Sequence, residues 1–103
     1  MEKLTQENFK DLSTKDKPLV VDFWANWCGP CRMMAPNYEQ VAGELSDKFI
    51  FAKCDIDANR RLSIEHNIES IPTIAIFKDG QEIARFMGFC TVNDLKNRLN
   101  SQN

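Results

Sequence analysis

Apolar and polar positions alternate along the chain in blocks, and each block predicts an element. Leu19-Val20-Val21-Asp22-Phe23-Trp24-Ala25 is apolar at nearly every position. That is the pattern of a strand buried on both faces of a sheet. From Cys28 to about Asp47, Met34, Tyr38, Val41, Ala42 and Leu45 recur at helical spacing. Pro36 inside that stretch predicts a kink. Phe49 to Asp55 reads as a second strand, Asn59 to His66 as a short helix with His66 at its surface, and Thr73 to Phe77 as a third strand. Lys78-Asp79-Gly80-Gln81 is a hairpin turn leading to a strand over Glu82 to Met87. Near the N-terminus, Thr5 is placed to cap a helix through Ser13, with Phe9 and Leu12 inward. Near the C-terminus, Thr91 caps a helix that buries Val92, Leu95 and Leu99, and Asp94 completes a capping box.

Strands joined through a long helix run parallel, and strands joined by a tight turn run antiparallel. The order therefore predicts an α/β chain with a mixed sheet and helices on both faces. The 103 residues suffice for a single domain over 1–103.

Composition narrows the function. Thirteen Lys+Arg stand against 15 Asp+Glu, a formal net charge of -2, with the charges interspersed. This is no footprint for nucleic acid. No stretch is long and apolar enough to span a bilayer. The first residues, Met1 to Glu7, lack the apolar core of a secretory signal. These features predict a cytoplasmic protein, in a compartment where structural disulfides are rare. Four cysteines then call for a chemical reading.

Two of them form Trp27-Cys28-Gly29-Pro30-Cys31, where the buried strand meets the long helix. Residues three apart on a helix share a face, with Cβ atoms about 5–6 Å apart, close to what a disulfide needs. The pair can open and close with little backbone motion. At the helix N-terminus, unpaired N–H groups favour an anion, which lowers the Cys28 thiol pKa. Cys31, one turn in, is shielded and less acidic. Lowering a thiol pKa from about 8.5 to about 7 raises the thiolate fraction roughly 16-fold at neutral pH, and reduced nucleophilicity offsets roughly 5-fold of that. The bland readings are half a zinc site and a structural disulfide. Zinc needs about four ligands, whereas Cys54, Cys90 and His66 are isolated in the sequence. Cys54 and Cys90 read as small core hydrophobes, with a regulatory thiol at Cys90 as the alternative. Asp22 interrupts an apolar strand, so burial raises its pKa and suits it to accept a proton; a surface Asp on an edge strand is the bland reading.

Beyond the Cys pair, Val21-Asp22-Phe23-Trp24-Ala25, Ala35-Pro36, Ile71-Pro72-Thr73, Lys78-Asp79-Gly80 and Gly88 extend the pattern. With them the chain resembles the thioredoxin family over nearly its whole length. The resemblance implies a thioredoxin-like fold, with a central mixed sheet of about five strands flanked by about four helices. Its first strand would fall near Glu2 to Leu4, short or frayed. It implies that Cys28 attacks a protein disulfide, that Cys31 resolves the mixed disulfide, and that the two end as a redox-active disulfide. Asp22 would take the Cys31 proton, with Lys53 as its electrostatic partner. Pro72 would be cis, presenting the Ile71 backbone to an extended substrate. Trp27, Gly29, Pro30, Ile71, Pro72, Gly88 and Phe89 would form the docking surface. Ser70 and Phe89, where relatives often carry smaller residues, would bear on partner choice.

The expected function is a monomeric protein-disulfide reductase, an electron donor in cell redox homeostasis and electron transport. It would bind no cofactor or metal, since no Gly-x-Gly-x-x-Gly is present. Electrons would come from a thioredoxin reductase, flavin- and NADPH-dependent or ferredoxin-linked. Its other partners would be disulfide-containing proteins, with no nucleic acid and no membrane. Two rival readings are a non-catalytic binding subunit and an oxidase or isomerase of secreted proteins. Relatives of the latter kind carry His between the cysteines, where this chain has Gly29-Pro30.

Overall fold

The computed structural model describes residues 1–102. Within them the chain runs β1 (Glu2–Lys3), α1 (Phe9–Ser13), β2 (Leu19–Trp24), α2 (Gly29–Glu44), β3 (Ile50–Asp55), α3 (Arg60–Glu65), β4 (Thr73–Lys78), β5 (Gln81–Met87) and α4 (Val92–Asn100). The five strands form one sheet in the order β1-β3-β2-β4-β5. β1 and β2 both run parallel to β3, while β4 is antiparallel to β2 and β5 antiparallel to β4. The mixed sheet, the parallel β2–β3 pair and the antiparallel β4–β5 hairpin are as the connections predict. That β4 runs antiparallel to β2, and so opposite to β3 although α3 joins them, does not follow from the connections. The first strand is only two residues long.

β2 lies at the centre because it is apolar on both faces. Val20 packs on one face with Phe51, Ile74 and Ile76, beneath Met34, Tyr38 and Val41 of α2 and Leu95 and Leu99 of α4. On the other, Leu19, Val21 and Phe23 pack with Ala52, Ala75 and Phe77 beneath Leu12 of α1 and Leu62 of α3. Each of these larger side chains contributes about 1.5–3 kcal/mol on burial. Asp79 and Gly80 both take positive φ, 54° and 78°, the two-residue hairpin turn whose twist matches its strands. The Gly80 N–H donates to the Ser13 carbonyl at 3.0 Å, which ties the hairpin tip to the end of α1.

Several boundaries differ from the periodicity. Thr5 does not cap a helix through Ser13. Its Oγ1 accepts the Asn8 N–H at 3.3 Å while Asn8 Oδ1 accepts the Thr5 N–H at 2.8 Å, so the reciprocal pair closes a turn and α1 begins only at Phe9. α2 stops at Glu44 rather than Asp47, because Lys48 and Phe49 turn back to bond the Leu45 carbonyl. It continues through Pro36 without a break. Val92 is half-buried, whereas Leu95 and Leu99 are fully buried. His66 is half-buried rather than free at the surface: its ring centroid lies 4.8 Å from that of Phe9 and 5.2 Å from that of Phe77. It follows Leu62 by four residues, which places both on the inward stripe.

Candidate active site

Three chain segments meet at one end of the sheet: the β2–α2 junction, the loop before β4, and the end of β5. At the first, Cys28 is the N-cap of α2, with extended backbone (φ -90°, ψ 108°). Its Sγ accepts the Cys31 N–H at 3.2 Å, taking one of the donors that a helix start leaves unpaired. Pro30 occupies the first turn, where its missing N–H costs nothing. No acidic residue stands in that first turn, so the positive end of the helix dipole faces the sulfur uncompensated. Cys28 and Cys31 form a disulfide across a Cα–Cα distance of 5.2 Å, within the ordinary range. The shielding expected of Cys31 holds, but in the disulfide form Cys28 is nearly as covered: the two are 3% and 5% exposed.

At the second segment the Ile71–Pro72 bond is cis, as expected. The Ile71 carbonyl oxygen lies 3.8 Å from Cys28 Sγ. Thr73 Oγ1 donates to the Ser70 carbonyl, and the Gly88 N–H donates to the Pro72 carbonyl at 2.9 Å. The last bond brings in the third segment. Gly88 has φ +94°, a conformation that favours glycine. Trp27 and Phe89 are 66% and 46% exposed, although both are large and apolar. Pro30 is exposed and Gly29 half-buried.

Asp22 is fully buried in β2, the strand that leads into the Cys28 turn. Neither carboxylate oxygen has a hydrogen-bond partner among the described residues. Burial pushes its pKa up to about 6, and the Lys53 charge opposes that rise. Lys53 stands opposite Asp22 in the β2–β3 register. Its ammonium lies over the Trp24 ring, 4.9 Å from the centroid, so it acts on Asp22 through space while held by the indole.

The remaining cysteines stay outside this site. Cys54 and Cys90 are buried in cores on opposite faces of the sheet, so they cannot complete a metal site with Cys28 and Cys31. Among the described residues no group of three or more His, Cys, Asp or Glu could hold a metal.

Three contributions were not legible beforehand. Trp27 Nε1 donates to Asp57 Oδ2 at 2.9 Å, which fixes the exposed indole from a loop 30 residues away. The Tyr38 hydroxyl lies 2.8 Å from the Ala52 carbonyl and 3.1 Å from that of Val20, pinning α2 to β2 and β3; its helical spacing marked it only as core. Ser70 Oγ donates to Met87 Sδ at 3.3 Å, beside the cis peptide. No local pattern signals the first or the third.

The family model described as Thioredoxin matches residues 1–101. A thioredoxin of Alicyclobacillus acidocaldarius is 43% identical over 96 residues, covering 93% of this chain and 91% of that protein. A Mycobacterium bovis thioredoxin is 44% identical over 87 residues, covering 84% of this chain and 75% of that one. A bifunctional thioredoxin reductase/thioredoxin of Mycobacterium leprae is 44% identical over 80 residues, 78% of this chain and 18% of that larger protein. The solved structure of the Malassezia sympodialis thioredoxin Mala s 13 superposes with a TM-score of 0.87 at 35% identity, over 94% of this chain and 84% of that one. A family match across nearly every residue, set on a disulfide at a helix N-terminus, leads to one conclusion: this chain belongs to the thioredoxin family and is a thiol–disulfide oxidoreductase of its protein-disulfide-reductase kind.

Proposed function

We propose that Cys28 is the nucleophile, Cys31 the resolving thiol and Asp22 the proton acceptor of a general cytoplasmic electron donor serving cell redox homeostasis. The observation that carries this reading is the position of Cys28 Sγ, which caps α2 and accepts the Cys31 N–H. An N–H aimed at sulfur from the positive end of a helix stabilises a thiolate.

In the reduced enzyme the Cys28 thiolate attacks one sulfur of a substrate disulfide. That S–S bond breaks, a mixed disulfide forms, and the released substrate thiolate takes up a proton. Asp22, its pKa raised by burial to about 6, is mostly ionised at pH 7 and accepts the Cys31 proton, directly or through water. The Cys31 thiolate then attacks Cys28 Sγ, which closes the Cys28–Cys31 disulfide and expels the second substrate sulfur as a thiolate that takes up a proton. Lys53 tempers the cost of the Asp22 charge.

The Ile71 carbonyl beside Cys28 Sγ suits pairing with an extended substrate backbone. Trp27, Gly29, Pro30, Ile71, Pro72, Gly88 and Phe89 surround it as a shallow docking surface. The enzyme acts as a monomer. Its electrons come from a thioredoxin reductase, flavin- and NADPH-dependent or ferredoxin-linked; the Mycobacterium leprae relative, named as both reductase and thioredoxin, supports such a partner.

The test is dithiothreitol-driven reduction of insulin by wild type and Cys28→Ser. Wild type turns over insulin well above the dithiothreitol background, and Cys28→Ser does not rise above it. Equal rates overturn the assignment.

A further inference from the structure

The chain has four cysteines and four methionines, and their sulfurs differ in what can reach them. In the oxidised enzyme Cys28 and Cys31 are joined to each other. Cys54 and Cys90 are buried. Burial pushes the Cys54 thiol up to about 12 and shifts Cys90 upward as well, so both stay protonated and unreactive at neutral pH. Met34 is fully buried. Met1, Met33 and Met87 are the exposed methionines, and Met87 is 61% exposed.

Met87 is set apart by place and by partner. It ends β5 in register with Thr73, one residue before Gly88, which bonds Pro72. Its Sδ accepts the Ser70 hydroxyl; among the described residues it is the one thioether with a hydrogen-bond donor. Ser70 precedes Ile71, whose carbonyl faces Cys28 Sγ. A thioether is a weak acceptor. Its sulfoxide is polar, and the Ser70 hydroxyl is a donor already in place for the new oxygen.

We propose that Met87 is a modification site: a hydroperoxide converts it to the sulfoxide in the disulfide form of the enzyme, and that sulfoxide, held by Ser70, weakens docking of apolar substrate segments while leaving Cys28–Cys31 chemistry intact. The proposal rests on the docking surface assigned above. A lone pair on Met87 Sδ attacks the outer peroxide oxygen. An S–O bond forms and the O–O bond breaks. Sulfur is oxidised by two electrons, and the peroxide is reduced to water or an alcohol, the proton of the transferred oxygen passing to the leaving oxygen. Conversion of a flexible apolar side chain into a polar one is the known consequence of this chemistry, and sulfoxide reductases reverse it.

The experiment treats the disulfide forms of wild type, Met87→Leu, Met33→Leu and Ser70→Ala with dilute hydrogen peroxide. The sulfoxide is located by peptide mass spectrometry. Each protein is then assayed with insulin and with the small disulfide 5,5′-dithiobis(2-nitrobenzoate). Wild type and Met33→Leu gain one oxygen at Met87, and their KM for insulin rises roughly 5-fold over their own untreated values, the scale of desolvating one added polar group. Their small-disulfide rate does not change. Met87→Leu shows no rise on treatment, and Ser70→Ala a smaller one, because the unheld sulfoxide swings into water. An unchanged insulin KM with Met87 fully oxidised overturns the proposal, as does equal loss toward both substrates. An equal rise in Ser70→Ala removes Ser70 from it. Untreated Phe89→Ala separates the two readings. If Phe89→Ala raises the insulin KM and the Met87 sulfoxide does not, only the modification proposal fails. If neither raises it, the docking surface itself is wrong.

Discussion

Both oxygens of Asp22 are buried without a hydrogen-bond partner among the described residues, on a strand whose other positions are apolar. A charge in that place costs stability unless it is protonated. The ordinary unfolded Asp pKa is about 3.9, and the folded one is raised to about 6. The native state therefore holds the proton more tightly. The stabilisation from protonation is complete below about pH 3.9 and is lost as pH rises through about 6. A shift of about 2 units corresponds to about 3 kcal/mol. Urea denaturation between pH 4 and 8 should show Asp22→Asn gaining on wild type across that window, by up to about 3 kcal/mol at pH 7, with the gap flat above it. A difference independent of pH would show that the Asp22 charge carries no such cost. The same variant should resolve the mixed disulfide more slowly, so function and stability favour opposite residues here.

At the scale of elements, α4 shows how a local signal becomes structure. Thr91 Oγ1 accepts the Asp94 N–H and Asp94 Oδ2 accepts the Thr91 N–H, each at 3.1 Å. The helix then seats Leu95 and Leu99 against α2 and β4. Thr91→Ala should cost about 1 kcal/mol in urea denaturation; no change in midpoint would mean that packing alone sets the helix start. The Thr5–Asn8 pair makes the same reciprocal bonds, yet closes only a turn, since the helix behind it is five residues long. Capping residues are legible from spacing. Whether a helix continues behind them depends on what it can bury, and α1 has little beyond Phe9 and Leu12.

Across the whole molecule, one sheet separates two cores, and β2 contributes to both. The Cα radius of gyration is 12.3 Å, against about 13 Å for a compact domain of this length. We infer that the chain is a single domain unfolding as one unit, because neither core survives loss of the shared strand. Urea transitions followed by tryptophan fluorescence and by far-ultraviolet circular dichroism should coincide. Separated midpoints would show that the two faces melt independently.

Residues 19–25, the helix beginning at Cys28, the Asp79-Gly80 hairpin and the directions of the β2–β3 and β4–β5 pairs follow from the sequence alone; the insertion of β4 antiparallel to β2 does not. Apolar periodicity, capping and turn chemistry act over a few residues, and a tight turn forces its two strands antiparallel. The Cys28–Cys31 pair is local in the same sense, three residues apart on one turn. Tertiary structure decided what surrounds it. Cys28 meets the Ile71 carbonyl across 43 residues, Trp27 meets Asp57 across 30, and Ser70 meets Met87 across 17. His66 turned inward because Phe9 and Phe77 offered it a place. Such contacts depend on how whole elements pack, and no window of neighbouring residues contains that information.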